Sequence, residues 1–303
     1  MFAKPIFQSS DSRSVKGYLR IAAVALLALF LLPVLVKSAA QEFAPQTTIG
    51  LQLFVGSLGL LLAHIATKGN FTYSRSEWLR IIAMALLGVT VFRAFARSAL
   101  TVSLSNSLSN LGVLVLLATT PVLVCVLSTL LKWYSLTEWG WLAAVLSFTG
   151  VLVSIGSLNF GLNQYVILLS LSAAFALAGY TLLAESLLEQ HSILKVTATS
   201  TAIGTLPLFA LSFGSLVRQG WSGTDIYLLT QGFTVGLGYL AWNYAVRRIG
   251  GLRTAVYANL AVVVSGYTYF LLLAPLGAIA GATLLVISAL SLRRWAFKAH
   301  GAG

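Results

Sequence analysis

Two arginines, Arg93 and Arg97, stand four residues apart in an otherwise apolar stretch, so on a helix their guanidiniums share one face. Each planar fork suits a carboxylate or a phosphate. Tyr239 and Trp242 are three apart and offer one amphipathic wall with hydrogen-bond donors, with Asn243 beside them, Gln231 two turns earlier, and Tyr257 and Asn259 in the next apolar run. Ser103-Leu104-Ser105-Asn106 is repeated at once as Ser107-Leu108-Ser109-Asn110, a period of four that stacks Asn106 on Asn110. These groups are suited to holding a small organic solute. An enzyme is poorly supported: there are three histidines, one cysteine, and neither a His-Glu-x-x-His run nor paired aspartates in an apolar stretch. The candidate substrate-binding residues are therefore Arg93, Asn106, Asn110, Gln231, Tyr239, Trp242, Asn243, Tyr257 and Asn259, with no catalytic residue, metal ligand or cofactor expected.

Each of these residues also has a plainer reading. Ser and Asn serve as glue between membrane helices, and an aromatic residue is most often core. An arginine high in a span can snorkel to the head groups. Counted from Trp78 at the usual rise, Arg93 lies about 22 Å and Arg97 about 28 Å up its helix; Arg97 is read as snorkelling, and Arg93 is left open between snorkelling and a cavity role. His64, near a span end beside Lys68, is read as interfacial, and Glu138 and Glu185 as facing loops or head groups.

The elements that must position these groups are ten apolar stretches, at roughly 18–38, 47–67, 78–97, 106–131, 138–157, 164–184, 195–217, 224–246, 253–273 and 275–292. Each is close to the ~20 apolar residues a helix needs to cross the hydrocarbon of a bilayer. The composition agrees, with 58% hydrophobic and 9% charged residues where a soluble domain carries about 25% charged. The expected fold is all-α: a polytopic membrane protein with ten transmembrane helices. The stretch 18–38 ends in Ser38-Ala39-Ala40, as a cleaved leader would, but its apolar run is long for one, and it is read as a retained span. Pro33, Pro121 and Pro207 fall inside spans and are read as kinks that could serve gating.

The net charge of +12 would suit nucleic acid in a soluble protein, but its placement points to lipid instead. With the N-terminus inside, 15 of the 19 Lys and Arg residues fall on the cytoplasmic side, which sets both termini there. Six of the seven tryptophans lie near span ends, as an interfacial belt requires; Trp242 is the exception. Cys125 sits in an apolar run and is read as core. The partners expected are a small solute and the bilayer, with no nucleic acid, and oligomeric state is left open.

Ten spans divide as five plus five, and an odd number per half inverts one half against the other. The expected organisation is a tail at 1–17, a first repeat at 18–157, a second at 158–292 and a tail at 293–303, both tails cytoplasmic. The segment Tyr239-Leu-Ala-Trp242-Asn243-Tyr244-Ala-Val-Arg247-Arg248-Ile-Gly250-Gly-Leu-Arg253-Thr-Ala-Val-Tyr257-Ala-Asn259-Leu260, followed by an apolar run to Ala274-Pro275-Leu276, resembles the second-half signature of the drug/metabolite transporter superfamily, in its branch of EamA-type ten-helix permeases. Thr120-Pro121-Val122 and Gly150-Val151-Leu152 carry a weaker likeness in the first half. The chain departs from that pattern where Ala261 replaces a proline, Tyr134 and Ala274 replace glutamates, and Gln52 stands for an arginine. The Ala-Pro-Leu ending is similar to that of the superfamily's aromatic amino-acid exporters.

The resemblance implies a carrier of small metabolites working by alternating access, often outward, from a bacterial inner membrane. No Asp or Glu lies in the middle of a span, which argues against coupling through an intramembrane carboxylate. An exporter of amino acids or similar amphiphilic solutes is favoured, since one arginine, a few amides and two aromatics suffice for it. A carrier of anionic or phosphorylated metabolites is the runner-up, and a polytopic membrane enzyme is the alternative from another class.

Overall fold

A computed structural model describes residues 45–103, 112–113, 115–133, 138–157, 163–219, 225–256, 258–259, 280–281, 283–284 and 287. The first expected span with Pro33, the Asn106–Asn110 stripe, Tyr257, most of the ninth and tenth spans and both tails lie outside these residues. Within them the chain is helical, and spans two to eight fall on its helices: α1 (Pro45–Ala66), α2 (Arg75–Ala85), α3 (Phe92–Ser103), α4 (Thr120–Leu130), α5 (Glu138–Ser157), α6 (Gln164–Leu188), α7 (Ile193–Gln219) and α8 (Asp225–Ile249). By length and composition, four stretches of the described residues can cross a bilayer: Ile49–Ala66, Arg75–Val102, Gln164–Leu188 and Ile193–Gly214.

Local chemistry sets the helix ends. Ser74 and Glu77 form a reciprocal capping box before α2, and Asn163 accepts from the Val166 amide to start α6. At the ends of α1 and α4, Lys68 and Lys132 adopt left-handed φ values of 53° and 54°. The following amides turn back, Gly69 N–H to His64 O and Trp133 N–H to Ser128 O, which satisfies the last carbonyls. Gly250, at φ +87°, ends α8, and residues 251–256 begin the next helix. Glu185 faces this connection, where its carboxyl accepts from the Gly251 amide at the helix start.

Two departures from straight α-helix matter. Between α2 and α3 the chain widens into a π-helical segment, Leu86–Val91, inside one continuous 75–103 helix. Before α4 the helix stops at Ala118 and Thr119 and restarts at Thr120. Pro121 thus sits in the first turn of a new helix, where its missing N–H is harmless, and not in the interior of a kinked span as expected. Pro207 does lie inside α7.

The described core is made by α1, α7 and α8 packing on the 75–103 helix and α6. Two glycine crossings let backbones touch. A Cβ at Gly56 of α1 would stand 2.5 Å from Gly232 O of α8, with Gly236 beside it. A Cβ at Gly204 of α7 would stand 2.5 Å from the Val89 side chain of the π segment. In span numbers these are crossings 2/8 and 7/3, which exchange when the halves exchange. The chain directions match this relation: α1 ends, and α7 begins, at the end carrying Lys68, His191, Lys195 and Arg247, while α2 begins there and α8 finishes there. In water-free surroundings such small-residue contacts replace the hydrophobic effect as the reason helices associate. Gly56→Ala should therefore destabilise the detergent-solubilised protein by about 1–3 kcal/mol, read as a lowered thermal midpoint, whereas Gly238→Ala, which meets nothing within 4 Å, should leave it unchanged.

Candidate functional site

The centre of the site is one hydroxyl. Tyr239 of α8 is 6% exposed and donates its single proton to Gly88 O of the π segment at 2.7 Å. Its lone pairs remain available, and Arg93 Nε donates to them at 3.3 Å, with the guanidinium 5.4 Å from the tyrosine ring centroid. The phenol thus ties the third span to the eighth, the equivalent spans of the two halves. The terminal nitrogens of Arg93 have no partner among the described residues. Trp242, on the same face of α8, packs half-buried against the core, and its Nε1 donor has no partner there either.

Below Tyr239, toward the lysine-rich end, runs a fully satisfied polar chain. The Tyr180 ring meets the Tyr239 ring edge-on at 5.9 Å. The Tyr180 hydroxyl donates to Asn243 Oδ1 at 3.0 Å, Asn243 Nδ2 donates to Thr197 Oγ1 at 2.9 Å, and Thr197 donates to Ile193 O at 2.7 Å. Gly88 fits flat against the Tyr180 ring, where any side chain would collide with it. Tyr180 was missed in the sequence, although a tyrosine about one turn from the end of an apolar span was visible there.

The other expected residues are placed elsewhere. Gln231 pairs with Gln52 of α1 toward the opposite end. Asn259 donates from Nδ2 both to Ala118 O at 2.8 Å and to Ser147 Oγ at 3.0 Å. It thereby clasps the break before α4, where the Thr119 and Thr120 hydroxyls cover the carbonyls of Leu116 and Leu117. The structure brings Arg93, Tyr239 and Trp242 together, with Asn243 one contact away, and sets Gln231 and Asn259 apart as ties between helices.

Arg97 is a correction. It is 8% exposed, which does not fit the snorkelling expected of it; its Nε is buried, and its guanidinium has no hydrogen-bond or ion-pair partner among the described residues. His64 is likewise not interfacial. It is 3% exposed, with Nε2 3.2 Å from Asn70 O, and it packs on the Phe71 ring beneath the loop after α1.

At the lysine-rich end a polar belt joins the halves. Lys195 Nζ of α7 donates to Thr72 O at 2.6 Å and to Asn70 Oδ1 at 3.3 Å, and lies 4.2 Å from the Tyr73 ring centroid. His191 Nε2 meets Glu77 Oε1 at 2.9 Å, and Arg247 donates to His191 O. Thr199 donates to Lys195 O, so the Tyr73 hydroxyl, 3.2 Å away, donates to Thr199. Burial pushes the Tyr73 phenol up to about 12, which keeps that proton in place.

A model of the EamA-like transporter family matches residues 15–156 and again 164–294. The chain belongs to that family. It is an integral, all-helical membrane protein of two repeats, and its partners are a small solute and the bilayer. Among its relatives, an uncharacterised transporter of Archaeoglobus fulgidus is 26% identical over 69% of this chain and 75% of its own length. A second from the same organism is 32% identical over 66% and 70%. The uncharacterised transporter YyaM of Bacillus subtilis is 23% identical over 85% and 87%. A solved structure titled only as the crystal structure of a protein superposes with a TM-score of 0.67 at 18% identity, covering 90% of this chain and 96% of that one, a likeness of fold. In this EamA-like protein, Tyr239→Phe keeps the ring contacts but strips both Gly88 O and Arg93 of a partner. The expected cost is about 1–3 kcal/mol, measured as a lower thermal midpoint than that of wild type in detergent.

Proposed function

We propose that this transporter carries amino acids or similar amphiphilic solutes between its two repeats, predominantly as an exporter from the cytoplasm, with no intramembrane carboxylate in the cycle. The observation that carries the reading is the Arg93–Tyr239–Trp242 group. One guanidinium held by its Nε, one phenol and one indole whose donor has no partner among the described residues lie on two helices that belong to opposite halves. A carboxylate suits the first and an apolar or aromatic body suits the other two. Asn106, Asn110, Tyr257, Asn243, Gln231 and Asn259 complete the proposed lining and frame, with Pro33, Pro121 and Pro207 as points of bending. An anionic or phosphorylated cargo is a second reading, favoured by the burial of Arg97.

The repeats proposed are 18–157 and 158–292, with the lysine-rich end and both termini in the cytoplasm of a bacterial cell, as the distribution of basic residues favours. The belt of Lys195, His191, Glu77 and Tyr73 then holds the cytoplasmic mouth closed, and alternating access requires it to part. The test is counterflow in proteoliposomes loaded with a mixed pool of amino acids, sugars, nucleosides and organic phosphates, without an ion gradient. Accelerated entry of labelled amino acid is the expected result; entry only under an imposed proton or sodium gradient would overturn the uncoupled cycle. Trp242→Ala should raise the half-saturation concentration for an aromatic amino acid several-fold more than for alanine, and an equal effect on both would count against an aromatic-lined site.

A further inference from the structure

Among the described residues, the buried Arg97 guanidinium has no carboxylate paired with it. Arg93, one turn before it on α3, is the nearest like charge, and the two repel. Glu77, Glu138, Glu185 and Glu189 all lie at the lysine-rich end, and the ion pair found among the described residues, His191 with Glu77, lies there too. Thr101 donates to the backbone carbonyl of Arg97, not to its side chain, so the hydroxyl one turn on does nothing for the guanidinium. A buried guanidinium left in this condition is costly unless an anion visits it.

The geometry points to Arg97, together with Arg93, as the receptor for the anionic head of the cargo. It deepens the reading above and rests on the same site. Tyr239 holds Arg93 by Nε, which leaves the terminal nitrogens of that fork free, and Arg97 presents a second fork one turn further along the same face. An oxyanion between them gains charge-assisted hydrogen bonds from both and relieves their repulsion. For an amino acid the head is the carboxylate, and the body lies along Tyr239 and Trp242. A cargo without an anionic oxygen would leave both cations bare, so its exclusion follows from the same electrostatics.

The experiment is counterflow with reconstituted full-length protein, comparing an aromatic amino acid, its amide and its decarboxylated amine, with inorganic phosphate and a sugar phosphate as further arms. Wild type should exchange the amino acid and neither the amide nor the amine. Arg97→Gln should raise the half-saturation concentration about ten- to hundredfold, the size of a lost hydrogen bond to a charged group, while Arg97→Lys should fall between the two. Monodispersity in detergent separates this loss from misfolding, and Arg97→Lys serves if the glutamine variant does not fold. Exchange of the sugar phosphate but not the amino acid, still lost in Arg97→Gln, would leave the receptor standing and overturn only the amino-acid reading. Equal transport of amino acid and amide, or an unchanged half-saturation concentration in Arg97→Gln, would overturn the receptor. So would an equal loss in Glu42→Gln or Asp225→Asn, the acidic residues placed by sequence toward the same end, since that would make Arg97 half of an internal ion pair.

Discussion

No backbone carbonyl can stay bare in hydrocarbon, and among the described residues this protein breaks regular α-helix at two places in its interior. In the 75–103 helix the π segment offers Gly88 O, which takes the Tyr239 hydroxyl. Thr90, in the same segment, donates to Gly204 O across the α7 crossing at 2.7 Å. Before α4, the carbonyls released at Ala118 and its neighbours are taken by Asn259, Thr119 and Thr120. Tyr239 and Asn259 come from the second half and satisfy irregular backbone in the first. The halves are therefore held together by obligatory hydrogen bonds as well as by packing, and the candidate residues Arg93 and Tyr239 sit where one of those bonds is made.

The glycine crossings supply the other part of the frame. Gly56 against Gly232 and Gly236, and Gly204 against the π segment, bring four helices from two halves to backbone contact. With so little side chain between them, small movements at these crossings shift whole helices, and the polar chain from Thr197 to Tyr239 must move with them. Close glycine crossings and a polar belt at one end suit the rocking of one half against the other that the proposed cycle calls for.

Charge is distributed with the same economy. Among the described residues, Lys68, Arg75, Lys132, Arg247 and Arg248 are exposed, and Lys195 is bound to Thr72 O and Asn70. Arg93 and Arg97 are the exceptions, drawn inside and incompletely satisfied. In a low-dielectric interior an incompletely satisfied cation favours a nearby anion, which is the ground for the anion receptor proposed above.

Much of this was legible in the residues. The apolar lengths that mark a membrane protein follow from the bilayer acting as solvent, and Arg93, Tyr239 and Trp242, which the structure brings together, stood out by their polarity within apolar stretches. What the sequence could not express was partnership. The fourth span reads as continuous, yet the helix stops before Pro121, because Asn259, well over a hundred residues on, is there to take the freed carbonyl. The π segment has no composition of its own; the contacts it makes, Gly88 O with the Tyr239 hydroxyl and the flat seat of Gly88 under Tyr180, come from distant parts of the chain. Arg97, judged by its height in a span, should reach the head groups. Neighbouring helices bury it, and burial is a property of the packed fold that local sequence does not carry.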